Sequence, residues 1–568
     1  MKMTNQKQKI LITSALPYVN NVPHLGNLIG CVLSADVYAR FQRLYGNDVL
    51  FVCGTDDYGT ASEIKARESK VTCPKLCQKY HDEHKKIYDW FNINFDVFGK
   101  TSTPNPKANI KWTHTQICHS IFQDLVSNDY VMEKEIEQLY CTEIESFVAD
   151  RYIKGQCPKC LEQDIDGSQC NKCDQLYPAT ELINPYYKFN EKYKLQIRKT
   201  NHLFLRLPKF KSQLTDIWLH QGKWTQVANN ITLSWLSNEL LDRCITRDLK
   251  WGTPVPDTEK FGSKYQDKVF YVWFDAPIGY ISITANEYPS TWKEWWMNPS
   301  VKLVQFMAKD NVPFHSVIFP SILKGSGKPY NIVNDLSAID YLNYEGGRFS
   351  KRNGIGVFGD NAIDSGISSD IWRFYLLKIR PETNDSTFDW LDFEQKINSE
   401  LVNNFSNLVH RVLSLTFKNF GKIPEIVDFK PFNKLNRKYL SILLEYTQAF
   451  QNLELRRAQN KFLEFSGKCN LFLDDHEPWK QLKENPKHAE NSLAIMCHFI
   501  ICLSVMIQPF IPECSEKIQS YLNLSHQKFI LEPNSFFNHV IRKPKIIFKR
   551  LSIKDNNRLS AFIKKCSS

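Results

Sequence analysis

Lys9-Ile10-Leu11-Ile12-Thr13, followed by Pro17-Tyr18-Val19-Asn20-Asn21-Val22-Pro23-His24-Leu25-Gly26-Asn27, decides the fold. The first five residues form a short apolar run of the kind that makes a buried parallel strand. Pro17, Asn20, Asn21 and Pro23 break it. From Leu25 the apolar residues Leu25, Leu28, Val32, Ala35 and Ala39 recur at spacings of three and four, one face of a helix, with Asp36, Arg40 and Arg43 on the other. A second apolar run, Val49 to Cys53, ends in Gly54-Thr55-Asp56-Asp57-Tyr58-Gly59. Strand, turn, helix and strand make a β-α-β unit. Such units build an α/β fold with an open parallel sheet, which binds ligands beyond the carboxyl ends of its strands.

The turn itself offers phosphate chemistry. Gly26 lets a ligand approach the backbone, and the helix start presents free N–H groups. His24 and Asn27 lie three apart and point the same way, so both are placed to donate to phosphate oxygens. Alone, the pair reads more readily as a helix-capping His and Asn. A second signal lies more than 300 residues downstream, in Gly346-Gly347-Arg348-Phe349-Ser350-Lys351-Arg352-Asn353-Gly354. Glycines at both ends suit a mobile loop, and Lys351 brings a compact positive charge suited to a polyphosphate. Alone, that stretch is an exposed basic turn.

The chain has 568 residues, enough for about three or four domains. Hydrophobic residues at 42% and charged residues at 23% can fill several cores, which excludes a disordered, collagenous or small disulfide-rich chain. Lys+Arg 72 against Asp+Glu 61 gives a net charge of +11, compatible with a polyanionic partner. Met1 to Lys9 has no apolar export segment, so the sixteen cysteines read as reduced thiols and metal ligands. Ala494 to Ile507 is apolar but shorter than the ~20 residues of a membrane span, and it contains His498 and Ser504, so it reads as a buried core helix. A soluble, cytoplasmic protein is expected, with no membrane partner.

Cys157-Pro158-Lys159-Cys160 and Cys170-Asn171-Lys172-Cys173 form C-x2-C-x9-C-x2-C. Four thiolates paired at this spacing make a closed tetrahedral site, the pattern of one structural zinc with no open position for chemistry.

Together, the two phosphate motifs resemble the HIGH and KMSKS signatures of class I aminoacyl-tRNA synthetases. His-Leu-Gly-Asn stands for the first and Arg-Phe-Ser-Lys-Arg for the second. Asn27 replaces the last His of the first motif, and Arg348 and Arg352 replace the outer Lys and Ser of the second. Over nearly its whole length the chain resembles the methionyl-tRNA synthetase family. The resemblance is carried by Ala15-Leu16-Pro17-Tyr18, Asp56-Asp57, Tyr271-Val272-Trp273-Phe274-Asp275-Ala276-Pro277-Ile278-Gly279-Tyr280, and Ala308-Lys309-Asp310-Asn311-Val312-Pro313-Phe314-His315.

The resemblance implies activation of L-methionine with ATP and Mg²⁺, then transfer to the 3′ end of tRNA(Met). It assigns Asp57 to the α-ammonium of methionine, and Leu16, Tyr18, Trp273, Ala276, Pro277, Tyr280 and His315 to the walls of a thioether slot. ATP falls to His24, Gly26, Asn27, Asp310, Ser350 and Lys351, with His24, Asn27 and Lys351 stabilising charge on the phosphates. On this reading Lys351→Ala slows pyrophosphate exchange and spares methionine affinity. In the helical C-terminal part, Ile397, Leu401, Asn404, Leu408 and Arg411 lie on one helix, with Asn407 and Arg411 as i,i+4 neighbours. The resemblance gives Asn407, Arg411 and Trp479 to the anticodon.

The expected organisation is a Rossmann-like parallel-sheet domain in two halves, 1–135 and 251–330, separated by an insertion with the zinc knuckle at 136–250. A signature-loop region at 331–395 and a helical anticodon-binding domain at 396–568 follow. The last of these ends in a basic tail, with nine Lys/Arg between Arg542 and Lys565. That tail is expected either to return along tRNA to the catalytic part or to serve solubility. With no appended tRNA-binding barrel, a monomer is expected. Competing readings are a synthetase for cysteine or leucine, a plain nucleotidyltransferase, and a non-catalytic zinc protein that binds RNA.

Overall fold

A computed structural model describes residues 7–102, 114–167, 170, 172–173, 177–350, 354–525, 529–553 and 557–567. Five strands, β1 (Lys9–Ser14), β2 (Asp48–Thr55), β3 (Val97–Lys100), β4 (Lys302–Ala308) and β5 (Asp335–Ile339), form one sheet in the order β5-β4-β1-β2-β3. Every neighbouring pair is parallel, with Ile12 opposite both Val304 and Phe51. Both faces are covered, which is why β1 reads as a continuous apolar run and not as an alternating one. Chain order reverses between β1 and β4, and the crevice there is where such sheets bind ligands.

The β1–β2 crossover helix runs over residues 25–44 and contains a π-helical segment, Leu28–Val32, directly behind the His24 turn. Ser34 Oγ donates to the Ile29 carbonyl at 2.6 Å within it. The periodicity placed Asp36 and Arg40 on a polar face. Instead both are buried, because a further layer of helices covers that side. Arg373, itself fully buried, reaches Asp36 Oδ2 at 2.7 Å, and Arg40 reaches the same oxygen at 2.9 Å.

Between β3 and β4 the chain leaves the sheet. Two antiparallel strands, Val131–Cys141 and Leu195–Leu205, carry a three-stranded knob that holds the four knuckle cysteines. The knob has its own small core of Leu139, Val148, Tyr152, Ile153 and Tyr187. Leu207, Phe210, Leu214 and Trp224 pack in the core of the five-stranded sheet instead, and the Trp224 indole donates to the Asn334 carbonyl at 3.0 Å. Within the 136–250 stretch, the helix Gln226–Ser237 lies beside β5, while Arg243–Cys244 pairs with the strand Leu195–Leu205.

From Trp390 to Tyr521 the chain is mostly helical. Residues 390–420 form one long helix interrupted by a π-helical stretch, Ile397–Ser406. Phe429–Gln451, Leu455–His476 and Pro486–Ile507 pack beside it. Pro486–Ile507 is apolar enough and long enough to cross a membrane, yet nearly all of it is buried as the central helix of the bundle. The C-terminal helix Asn557–Ser567 returns to the signature loop, where the Gly356 N–H donates to the Cys566 carbonyl at 2.8 Å.

Candidate active site

The turn after β1 and the end of β2 lie side by side, joined by the Asp56 N–H donating to the Pro17 carbonyl at 2.9 Å. Above them opens a cavity of about 590 Å³ whose lining includes Leu16, Tyr18, His24, Gly26, Asn27, Asp56, Trp273, Ala276, Pro277, Tyr280, Asp310 and His315. Most of the expected site residues thus share one space, although they come from four separate stretches of chain.

Among the described residues expected around methionine and ATP, Asp57 and Ser350 do not line this cavity. Asp56 lines the cavity, and Asp57 lies in the layer behind it. The Asp57 N–H donates to Thr101 Oγ1 at 3.0 Å, Ser102 donates to its carboxylate, and its carbonyl accepts from the Trp251 indole at 2.7 Å. Successive residues at a strand end face opposite ways, so only one of two adjacent carboxylates can enter the crevice. Composition does not say which. Asp56 is 4% exposed, and its Oδ1 has no hydrogen-bond partner among the described residues. Burial, then the charges of Asp275 and Asp57, push its carboxyl well above the usual carboxylate range. An acid held this way, without a basic partner, suits a cationic ligand.

Trp273 is stacked on Phe314 with centroids 3.6 Å apart, and Tyr18 meets its edge at 6.3 Å. Sequence reasoning missed Phe314 as a wall. Its place in the quoted segment, one residue before His315, was the available signal. Deeper in, the Tyr280 hydroxyl is 2.9 Å from His315 Nε2, and His315 Nδ1 is 2.8 Å from the Asn311 carbonyl. Because a carbonyl only accepts, Nδ1 carries the proton, and Nε2 accepts from Tyr280. Burial lowers the His315 pKa to about 4, so the ring is neutral. The resulting wall is aromatic and uncharged, with its polar atoms already satisfied.

At the other end, His24 caps the helix. Its Nδ1 accepts from the Asn27 N–H at 3.3 Å, and Asn27 Oδ1 accepts from the His24 N–H at 3.1 Å. The capping reading and the phosphate reading therefore both hold. With Nδ1 and Oδ1 used as acceptors, His24 Nε2–H and the Asn27 amide NH₂ are left as donors. Burial pulls the imidazole pKa down to about 4. A Cβ on Gly26 would stand 2.9 Å from His24 Cε1, so a side chain there would shift the imidazole. Asp310 accepts from the Tyr341 hydroxyl on the cavity rim. In the signature loop, Ser350 pairs with Ile355, and Phe349 stacks on His24. Lys351 lies outside the described residues.

In the knob, Cys157, Cys160, Cys170 and Cys173 bring their sulfurs within 4.8 Å of one another, with 3.8 Å between Cys157 and Cys173 and 3.5 Å between Cys160 and Cys170. Zn–S bonds of about 2.3 Å give a tetrahedral edge of about 3.8 Å, so the cage fits zinc. Against the effect of burial, N–H groups of Cys160 and Lys159 draw the Cys157 thiol down to about 6.

At the far end of the bundle, Arg411 lies over the Trp479 ring at 4.8 Å and meets Asp474 at 3.3 Å, with Asn407 exposed one turn away on the same helix. Left-handed Glu477 and Pro478 start the short helix Pro478–Glu484 that carries Trp479.

A family model described as tRNA synthetases class I (M) matches residues 10–413, and one described as the anticodon binding domain of methionyl tRNA ligase matches residues 430–561. The first match covers most of the chain and makes its catalytic part that of a class I aminoacyl-tRNA synthetase. Among curated relatives, the probable cytoplasmic methionine–tRNA ligase of Dictyostelium discoideum is 47% identical, over 92% of this chain and 70% of its own length. The human cytoplasmic enzyme is also 47% identical, over 91% of this chain and 57% of its own length. The chain belongs to the methionyl-tRNA synthetase family. A crystal structure of Mycobacterium tuberculosis methionyl-tRNA synthetase bound by methionyl-adenylate shares the fold, with a TM-score of 0.76 over 95% of this chain and all of that one, at 20% identity.

Proposed function

We propose that the chain activates L-methionine with ATP to methionyl-adenylate, releasing diphosphate, and transfers the methionyl group to the 3′ end of tRNA(Met). The observation that carries this reading is one cavity with the carboxylate of Asp56, whose Oδ1 has no hydrogen-bond partner among the described residues, beside stacked rings at one end and the His24–Asn27 donors at the other. Asp56, in place of Asp57, takes the α-ammonium. Leu16, Tyr18, Trp273, Phe314, Ala276, Pro277, Tyr280 and His315 enclose the thioether, and each sulfur–aromatic contact contributes ~0.3–1.5 kcal/mol.

The methionine carboxylate attacks the α-phosphorus in line and diphosphate leaves. Catalysis then rests on positioning and charge stabilisation, with no covalent enzyme intermediate. His24 Nε2–H and Asn27 Nδ2 donate to phosphate oxygens as charge builds. Asp310 accepts from the ribose, and Ser350 and Lys351 hold the diphosphate end. Mg²⁺, when bound with the nucleotide, neutralises phosphate charge. Zinc on Cys157, Cys160, Cys170 and Cys173 crosslinks the knob and takes no part in the chemistry. Trp479 stacks an anticodon base while Asn407 and Arg411 bond base edges, a mode in which each stacked base contributes ~1–3 kcal/mol. A cytoplasmic monomer is the state in which we expect it to act, and the D. discoideum and human relatives are both named cytoplasmic.

Methionine-dependent exchange of labelled diphosphate into ATP, followed by charging of tRNA(Met), tests the reading. Exchange with methionine but not with leucine or cysteine is expected. Exchange driven equally by another amino acid, or by none, overturns it.

A further inference from the structure

A continuous series of polar contacts joins the Trp479 end of the bundle to the turn that carries His24. Helix Leu455–His476 spans about 33 Å. Its last turn holds Asp474, the partner of Arg411 beside Trp479. In its first turn, the Arg456 N–H donates to Glu382 Oε1 at 3.0 Å, and Arg456 Nη1 donates to the Arg380 carbonyl at 3.3 Å. The same Glu382 oxygen accepts from Arg380 Nη1 at 2.8 Å.

Arg380 is fully buried. Its Nη2 donates to Ser337 Oγ of β5 at 2.8 Å, and its Nε donates to Ser34 Oγ at 2.9 Å. Ser34 in turn donates to the Ile29 carbonyl inside the π-helical segment Leu28–Val32, which follows Asn27 directly. Arg373 adds a second attachment, binding Asp36 of the same helix and the carbonyls of Pro509 and Phe510 in the bundle.

Two domains that merely pack do not need buried guanidinium groups, whose desolvation is costly unless every N–H is matched. The rigid fork of Arg380 fixes three partners at once, so a shift of helix Leu455–His476 is transmitted as a shift of Ser34. A π-helical turn is a conformationally adjustable element, frequent at functional sites. We propose that Arg380, acting through Ser34, is a positioning residue that couples occupation of the Trp479–Arg411 end by tRNA to the placement of His24 and Asn27 on ATP. The inference rests on the tRNA-charging function proposed above.

The test uses the full-length chain with Arg380→Lys and, separately, Glu382→Gln. The expected result has three parts. Methionine-dependent exchange without tRNA stays within about twofold of wild type. The kcat for charging intact tRNA(Met) falls at least about fivefold with its KM unchanged. Charging of the same tRNA with replaced anticodon bases stays at the wild-type rate, so that discrimination between the two tRNAs shrinks. Adding Trp479→Ala to either variant then costs less in kcat than the sum of the separate losses. Equal loss with both tRNAs, loss of exchange alongside charging, or an unchanged kcat overturns the proposal. Absence of exchange in the wild-type chain overturns the functional reading itself, and is seen before any variant is compared.

Discussion

The imidazole of His24 lies flat on the ring of Phe349, with centroids 4.5 Å apart and planes 7° apart. The His24 turn and the signature loop, separated by more than 300 residues, thus meet face to face. Gly356 makes room for the contact, since a Cβ there would stand 2.3 Å from Phe349 Cδ1. Stacking holds the imidazole plane, and with it the direction of Nε2–H. A stacked aromatic pair contributes ~0.5–1.5 kcal/mol beyond its buried area. Phe349→Ala is therefore expected to lower kcat/KM for ATP in the exchange reaction by about three- to tenfold, with Phe349→Tyr near wild type and methionine KM unchanged.

Adjacent carboxylates at the end of β2 give a sharp contrast. Asp56→Asn removes the charge that faces the cavity and is expected to lower kcat/KM for methionine by at least about 30-fold. Asp57→Asn keeps an acceptor for Ser102 and is expected to change it by less than about fivefold. Steady-state exchange kinetics with varied methionine decide the matter, and a reversed ranking would return the ammonium to Asp57.

Gly26→Ala tests the closeness of the turn. The added methyl has to displace the His24 ring from its bond with the Asn27 N–H. A misplacement near 1 Å at a reacting group costs about 100-fold. We expect exchange to fall by about that factor while circular dichroism and the melting temperature stay close to wild type.

His315 makes stability depend on pH. Its pKa of about 4 in the folded chain lies below the value near 6.5 of an unfolded imidazole. Between the two, the unfolded chain holds more protons, so this contribution is complete above pH ~6.5 and is lost as pH falls toward 4. The loss is on the order of 3 kcal/mol. Urea unfolding of wild type and His315→Gln at pH 4.5 to 7.5 should show a shallower acid loss in the variant, and parallel curves would remove His315 from the account.

The knuckle predicts one zinc per chain by elemental analysis. Cys160→Ser is expected to abolish it and to lower tRNA charging by about tenfold or more, with exchange much less affected, since the cage stands apart from the cavity. Two ions per chain, or equal loss of both activities, would contradict this.

The strands and the four-cysteine spacing were legible because each is a local pattern. Apolar runs bounded by turn residues identified β1 and β2, and paired cysteines identified the cage. The aromatic segment Trp273 to Tyr280 was singled out through the family resemblance, and Trp273, Ala276, Pro277 and Tyr280 line one cavity. The polar face of the helix after His24 was misread, because Asp36 and Arg40 look solvated until Arg373, more than 300 positions away, is folded against them. Phe314 was passed over for the same reason. A ring becomes a wall only through what it stacks on, here Trp273.

The sequence by itself determined the parallel sheet, the helical C-terminal part and the four-cysteine cage, since these follow from periodicity and spacing along the chain, while the thioether and phosphate residues were named by the family resemblance. Only the tertiary structure decided which of Asp56 and Asp57 enters the cavity, that His24 stacks on Phe349, and that Arg380 ties Ser34 to Glu382. Each of these depends on side-chain direction and on contacts between distant segments, which one-dimensional spacing does not encode.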